Sequence, residues 1–142
     1  MILLIMNREN VVLMDVGQDV AKFLQTADRV SSAPTAECMR EASNASSHTW
    51  LNIFPHRRII ATHGRETLGD FADALLSLRF AVRDHLTKNR KHMNDPDVEA
   101  FEGSLERLRD HWRLVIALLV SVTTAEQRVL ANTAQLREER GI

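Results

Sequence analysis

The chain has 142 residues, a formal net charge of −1, five glycines, three prolines and no tyrosine. This length suits one domain that buries a core without metal or disulfide support, and the balanced charge argues against a surface dominated by cations for binding polyanions. The scarcity of glycine and proline, together with abundant Ala, Leu, Arg and Glu, predicts a single all-α domain over residues 1–142.

The N-terminal residues 1–6 are apolar, but they are too few to cross a membrane and lack the basic segment of a signal peptide. We expect residues 1–9 to form an apolar N-terminal tail, and we expect no membrane partner. The lone cysteine, Cys38, cannot form an internal disulfide. We therefore expect a cytoplasmic protein.

Two helices are predicted in the first part of the chain. Apolar residues recur every three or four positions over residues 13–30, which predicts the first helix. A serine-rich connection containing Pro34 separates it from a second helix, predicted over residues 35–50. The predicted apolar stripe of the second helix is thin and consists of Met39, Ala42, Ala45 and Leu51.

Pro55 predicts a break after the second helix, because a proline disfavours helical backbone at the residue before it. A short helix over residues 55–63 can follow, and Gly64 is suited to end it.

The clearest pattern predicts two long helices, over residues 66–92 and 97–122. The seam of the first consists of Leu68, Phe71, Leu75, Leu78 and Val82. The seam of the second consists of Val98, Phe101, Leu105, Leu108, Trp112, Val115, Leu119 and Val122. The short connection between them, in which Asp95 is the predicted N-cap and Pro96 the first helical residue, predicts an antiparallel hairpin.

A last helix is predicted over residues 125–140, because Thr124 and Gln127 have the spacing of a capping box. The chain then contains about five helices. An antiparallel helical bundle is the simplest way to bury one apolar stripe from each of them.

Residues 114–120 form an unbroken apolar run, more than one bundle seam requires. Leu114, Ala117 and Leu118 place a second apolar face on this helix, which predicts self-association as a homodimer. The N-terminal tail or the last helix could instead cover this face. Trp50 and Phe54, beside the predicted break, are further interface candidates.

These features favour a non-enzymatic protein–protein interaction module, a small subunit, adaptor or inhibitor that acts by binding another protein. No glycine-rich phosphate loop is present, and no motif places a base beside Cys38 or a serine. We therefore expect no catalytic residue and no cofactor.

Two other functions stay open. A small subunit of a nucleoprotein complex could contact nucleic-acid phosphates through basic residues, namely Arg57, Arg58, Lys88, Arg90 and Lys91. Cations in the last turns of a helix are also expected from the helix dipole, which weakens this signal.

A metal-binding bundle is the least favoured function. His85 and His92 could face Glu99 or Glu102 across the hairpin. The Glu-x-x-His spacing of di-iron bundles is absent, so we predict no metal ligand.

Overall fold

The computed structural model describes residues 8–139, apart from the side chains of 122–126 and 138–139. This part of the chain forms five α-helices: α1 (Arg8–Ser32), α2 (Ala36–Ile53), α3 (Arg57–His63), α4 (Arg65–Asn89) and α5 (Asp95–Glu139). Single 3₁₀ turns, Phe54–His56 and Arg90–His92, follow α2 and α4. The predicted all-α bundle is confirmed, as is the break at Pro55. The apolar segment 1–6 lies outside the described residues.

The four long helices form two antiparallel hairpins. In the first, the N–H of the Asn52 amide donates to the Asp19 carboxylate at 2.6 Å and joins the end of α2 to the first half of α1. In the second, Arg90 at the end of α4 pairs with Glu102 near the start of α5. The predicted central hairpin is therefore present.

The two hairpins pack side by side. Each helix runs parallel to the helix of the other hairpin that it contacts, α1 to α4 and α2 to α5. Phe23 of α1 packs edge to face against Phe71 of α4, with ring centroids 5.3 Å apart. On the other side, the Arg107 Nη1 of α5 donates to the Ser43 hydroxyl of α2 at 3.2 Å. The order around the bundle is thus α1, α2, α5 and α4, and α3 connects α2 to α4 at one end.

The predicted seams of α1, α4 and α5 form the core. Buried side chains include Val20, Phe23, Phe71, Leu75, Phe101, Leu108 and Val115. Other residues of the α5 seam are half-buried and pack against these core side chains. They include Val98, Leu105, Trp112 and Leu119.

The predicted stripe of α2 is wrong at Leu51, whose side chain is exposed. The buried face of α2 combines Met39 and Ala42 with Ser43, Ser46, Thr49 and Ile53. Small hydroxyl side chains can be buried here because they bond to carbonyls of their own helix. Thr49 Oγ1, for example, donates to the Ala45 carbonyl at 2.8 Å.

The start of α5 differs by one residue from the prediction. Asn94, rather than Asp95, caps the helix, since its Oδ1 accepts the Asp97 N–H at 2.9 Å. Asp95 is already helical.

The predicted separate helix over residues 125–140 is also wrong, because α5 is continuous over Asp95–Glu139. No glycine or proline occurs between Gly103 and the end of α5, so nothing interrupts the backbone where Thr124 and Gln127 suggested a new start. The predicted helix 97–122 therefore extends to 139. With 45 residues, α5 is about 67 Å long at 1.5 Å per residue.

Candidate protein-interaction surface

The contacts between α2 and α5 fix which residues of the two helices lie at the same level. Ser43 bonds to Arg107 and Ser46 bonds to His111, separations of 64 and 65 residues along the chain. Because the helices run in the same direction, this register continues toward their common end. It places Trp50 level with Leu114, two predicted interface residues on neighbouring helices.

One turn further along, the same register places Phe54 level with Leu118. Phe54 is 52% exposed and Leu114 is 45% exposed, while Leu118 and Trp50 are half-buried against the core. Ala117 is exposed. The predicted interaction residues therefore lie at one end of the bundle, and the structure leaves much of their apolar surface accessible. We call this set, Trp50, Phe54, Leu114, Ala117 and Leu118, the end patch.

The orientation of Phe54 is fixed by the residue that follows the proline turn. The guanidinium of Arg57 lies 4.6 Å from the centroid of the Phe54 ring, and its Nη1 donates to the Phe54 carbonyl at 3.0 Å. A cation over an aromatic face is attracted to it. Arg57, predicted as a possible phosphate ligand, is thus engaged with the end patch.

The C-terminal part of α5 is an exposed surface that was not predicted from the sequence. Every side chain over residues 127–137, which we call the arm, is exposed. Val129 is 64% exposed, Leu130 69% and Leu136 50%. Val129 and Leu136 follow the buried Val115 by multiples of seven residues, so they continue the face of α5 that is buried within the bundle. This seven-residue repeat of apolar residues could have predicted the exposed surface from the sequence.

A polar network inside the bundle holds the register of α2 and α5. The Ser46 hydroxyl donates its proton to the Ser43 carbonyl at 2.8 Å, and its oxygen lies 2.9 Å from His111 Nδ1. A hydroxyl has one proton, so the Nδ1–H of His111 donates to Ser46. Burial, and next the positive charge of Arg107, lower the pKa of His111 from 6.5, although Asp110 acts in the opposite direction.

This serine–histidine pair is unsuited to nucleophilic catalysis. Ser46 is fully buried, and its proton points to a backbone carbonyl rather than to the imidazole. A nucleophile needs access to substrate and a base that accepts its proton. The pair instead links the two helices that carry the end patch.

The five predicted phosphate-binding residues do not form one site. Arg57 and Arg58 belong to α3, at the end of the bundle where α4 begins. Lys88 is in the last turn of α4, and Arg90 and Lys91 follow it. The 25 residues of α4 separate the two groups by about 37 Å.

The residues at the end of α4 also have partners of their own. Lys88 Nζ lies 2.9 Å from the Asp84 carboxylate, and Arg90 pairs with Glu102.

The predicted histidine pair is not assembled either. His85 is half-buried, and its ring centroid lies 5.7 Å from that of Phe101, whereas His92 is exposed in the 3₁₀ turn. Over the described residues, no three His, Cys, Asp or Glu side chains are grouped so that they could hold a metal ion.

A groove of about 750 Å³ runs between α4 and α5 and was not expected. Arginines line its α4 side, at Arg79 and Arg83 of α4 and at Arg90 of the 3₁₀ turn that follows. Glutamates line it on α5, at Glu99, Glu102 and Glu106. Their spacings of three, four and seven residues place each set on one face of its helix, a signal that the sequence contains.

No protein-family model, curated protein or solved structure matches this chain. Within the described residues, no helix combines the length and apolarity that a membrane crossing requires. The features that bear on function are therefore two surfaces of the chain, the end patch and the arm.

Proposed function

We propose that this chain is a non-enzymatic protein-interaction module, a small subunit, adaptor or inhibitor that self-associates and binds another protein. One observation carries the proposal. In the described part of α5, five large apolar side chains are exposed, namely Leu114, Val120, Val129, Leu130 and Leu136. Exposed apolar side chains grouped on one element mark interaction sites.

A second copy of the chain is the partner that the arm favours. Most helical stability in proteins comes from packing of an apolar face, and the side chains over 127–137 are all exposed. A two-fold dimer is the commonest way for a single kind of chain to cover such a face. Pairing of two arms would bury Val129 and Leu136 of both copies.

Steric considerations favour antiparallel arms in this dimer. The face of α5 that carries Val129 and Leu136 is the same face that packs on α2 and α4 within the bundle. If the two arms paired in parallel, the bundle of each copy would lie on the side of α5 that faces the other copy. The two bundles would then clash. Antiparallel arms place the two bundles at opposite ends.

The end patch supports binding of a different protein. It combines the exposed aromatic ring of Phe54 with Trp50 and Leu114, and aromatic side chains are enriched at the residues that contribute most to binding energy. Cys38 is a free thiol, which suits the cytoplasmic location that we propose for this module.

The nucleoprotein function is less well supported. Its basic residues lie at two ends of the bundle, and Lys88 and Arg90 already have acidic partners. A single phosphate-contacting surface would require these cations to lie together.

Affinity capture from the native host tests the proposal. Three baits are compared: the natural chain, Leu114→Glu, and Gln127→Glu as a control that adds the same charge to an exposed polar position of α5. We expect a protein partner that the natural chain and the control retain and Leu114→Glu loses. If nuclease treatment abolishes recovery of the partner protein, the result would instead support the nucleoprotein function.

A further inference from the structure

The groove between α4 and α5 has walls of opposite charge. The basic wall lies on α4 and includes Arg79 and Arg83. The acidic wall lies on α5 and includes Glu99 and Glu106. Leu86, which is buried, and Leu105, which is half-buried, contribute an apolar floor. An apolar strip between two charged edges is the surface that a helix presents to a partner helix in a coiled coil.

Most of these charged groups have no partner in the part of the chain that we describe. Arg90 and Glu102 pair across one end of the groove. Over residues 8–139, by contrast, the side chains of Arg79, Arg83 and Glu106 form no ion pair and no hydrogen bond.

At the other end of the groove, Arg109 has a buried Nε that makes no hydrogen bond within these residues. Its nearest anionic atom is an oxygen of Asp110, at 3.6 Å. Because this Nε is buried, a ligand in the groove meets only the rest of the Arg109 side chain, which adds one positive charge to the otherwise acidic α5 wall.

We propose that this groove binds an amphipathic helix of a partner protein, with an acidic edge against α4 and a basic edge against α5. From Arg79 to Arg90 the groove extends about 16 Å, which accommodates three turns of a bound helix. Because the two walls differ in charge, they also fix the direction of that helix. Reversing it would place each charged edge against a wall of the same sign.

This site is separate from the end patch and from the arm. The end patch lies between α5 and α2, whereas the groove lies between α5 and α4, on another side of α5. The proposal therefore does not depend on dimerisation, and it gives the module a second binding surface, as an adaptor requires.

Three synthetic helical peptides serve as probes for the full-length chain. All have leucine at the core positions of three heptads. The first has glutamate along one edge and lysine along the other, the second has glutamate along both, and the third has lysine along both. By fluorescence anisotropy we expect the mixed peptide to bind about tenfold more tightly than either of the others, as two additional ion pairs can provide.

Charge reversal of one wall gives the sharpest comparison. Arg79→Glu with Arg83→Glu makes both walls acidic, so the preference should move to the lysine peptide. Arg40→Glu with Arg58→Glu is the matched control, because it makes the same charge change at exposed arginines outside the groove. This control should leave the preference for the mixed peptide unchanged.

Filling the groove tests the location independently of charge. Gly103 lines the groove, and a Cβ at this position meets nothing within 4 Å, so Gly103→Trp should fold normally and weaken binding of the mixed peptide about tenfold or more. Circular dichroism checks the fold of each variant. The proposal is overturned if the peptides do not bind, bind with equal affinity, or bind a correctly folded Gly103→Trp unchanged. Preference for the doubly acidic peptide would also overturn it, in favour of a simple anion site.

Discussion

Ser46 Oγ lies 2.9 Å from His111 Nδ1, although 65 residues separate the two side chains in the sequence. This hydrogen bond joins the two hairpins of the bundle and fixes the register of α2 against α5. The register in turn places Trp50 level with Leu114. The end patch therefore depends on a polar contact in the interior of the bundle.

That contact predicts a dependence of stability on pH. Burial lowers the pKa of His111 in the folded protein below the 6.5 that it has when unfolded. Between these two values the unfolded chain binds more protons, so the free energy of unfolding rises with pH. Stability should therefore fall as the pH drops below 6.5, and this loss should level off once the pH is below the pKa in the folded state.

Urea unfolding at a series of pH values measures this effect, with His111→Gln as the comparison. Glutamine can still donate to Ser46 but does not titrate, so the variant should lose less stability than the natural chain on acidification. Identical pH dependence in the two proteins would show that His111 does not contribute to it.

The seam of α5 predicts a large effect of Leu108→Ala. Leu108 is fully buried, and removal of such a side chain costs about 2–5 kcal/mol of unfolding free energy. The matched control is Leu51→Ala, at an exposed position of α2, for which we expect a change within about 0.5 kcal/mol. Denaturant unfolding of the two variants distinguishes a correct seam from a wrong one, since similar small losses would contradict the assignment.

Two glycines should respond to alanine in opposite ways. Gly17 lies inside α1, and a Cβ there meets nothing within 4 Å, so Gly17→Ala should stabilise the protein by about 0.5–1 kcal/mol. At Gly64, an added Cβ would lie 3.0 Å from the Ile60 carbonyl oxygen and 3.0 Å from Leu13 Cδ2. Gly64→Ala should therefore destabilise the protein. Melting temperatures measured side by side test the contrast, and stabilisation by Gly64→Ala would show that this end of the bundle has more room.

The basic residues at the end of α4 should contribute little to folding or dimerisation. Lys88, Arg90 and Lys91 are exposed, and exposed ion pairs such as those of Lys88 and Arg90 contribute only about 0–1 kcal/mol each. Replacing all three by Gln should leave the fold and the mass of the dimer unchanged. If the natural chain is found to bind nucleic acid, and this variant loses both the affinity and its salt dependence, the nucleoprotein function should be adopted.

The sequence predicts the seams well because helical periodicity directly reports which face is buried. This succeeds for Phe71, Leu108 and Val115, which are buried as expected. It fails on α2, where Ser46 is buried and Leu51 is exposed. Burial of Ser46 depends on bonds to Ser43 and His111, and apolar periodicity contains no information about such partners.

The candidate interaction surface could be predicted only in part from the sequence. Leu114 and Phe54 could be identified as apolar residues in excess of one core, but their common level depends on the register of α2 and α5. The arm was missed because Thr124 and Gln127 resemble a helix start, although the heptad spacing of Val115, Val129 and Leu136 continues through them. A capping pair favours a helix start but does not interrupt a helix that is already formed.

The mass of the chain in solution, measured by sedimentation velocity from low to high micromolar concentration, tests self-association most directly. We predict a dimer that dissociates on dilution. Val129→Glu and Leu136→Glu should each weaken it while remaining folded, and Gln127→Glu should not. A natural chain that stays monomeric at high micromolar concentration would contradict the proposed dimer. Unfolding of Val129→Glu would show that the arm belongs to the core of the monomer.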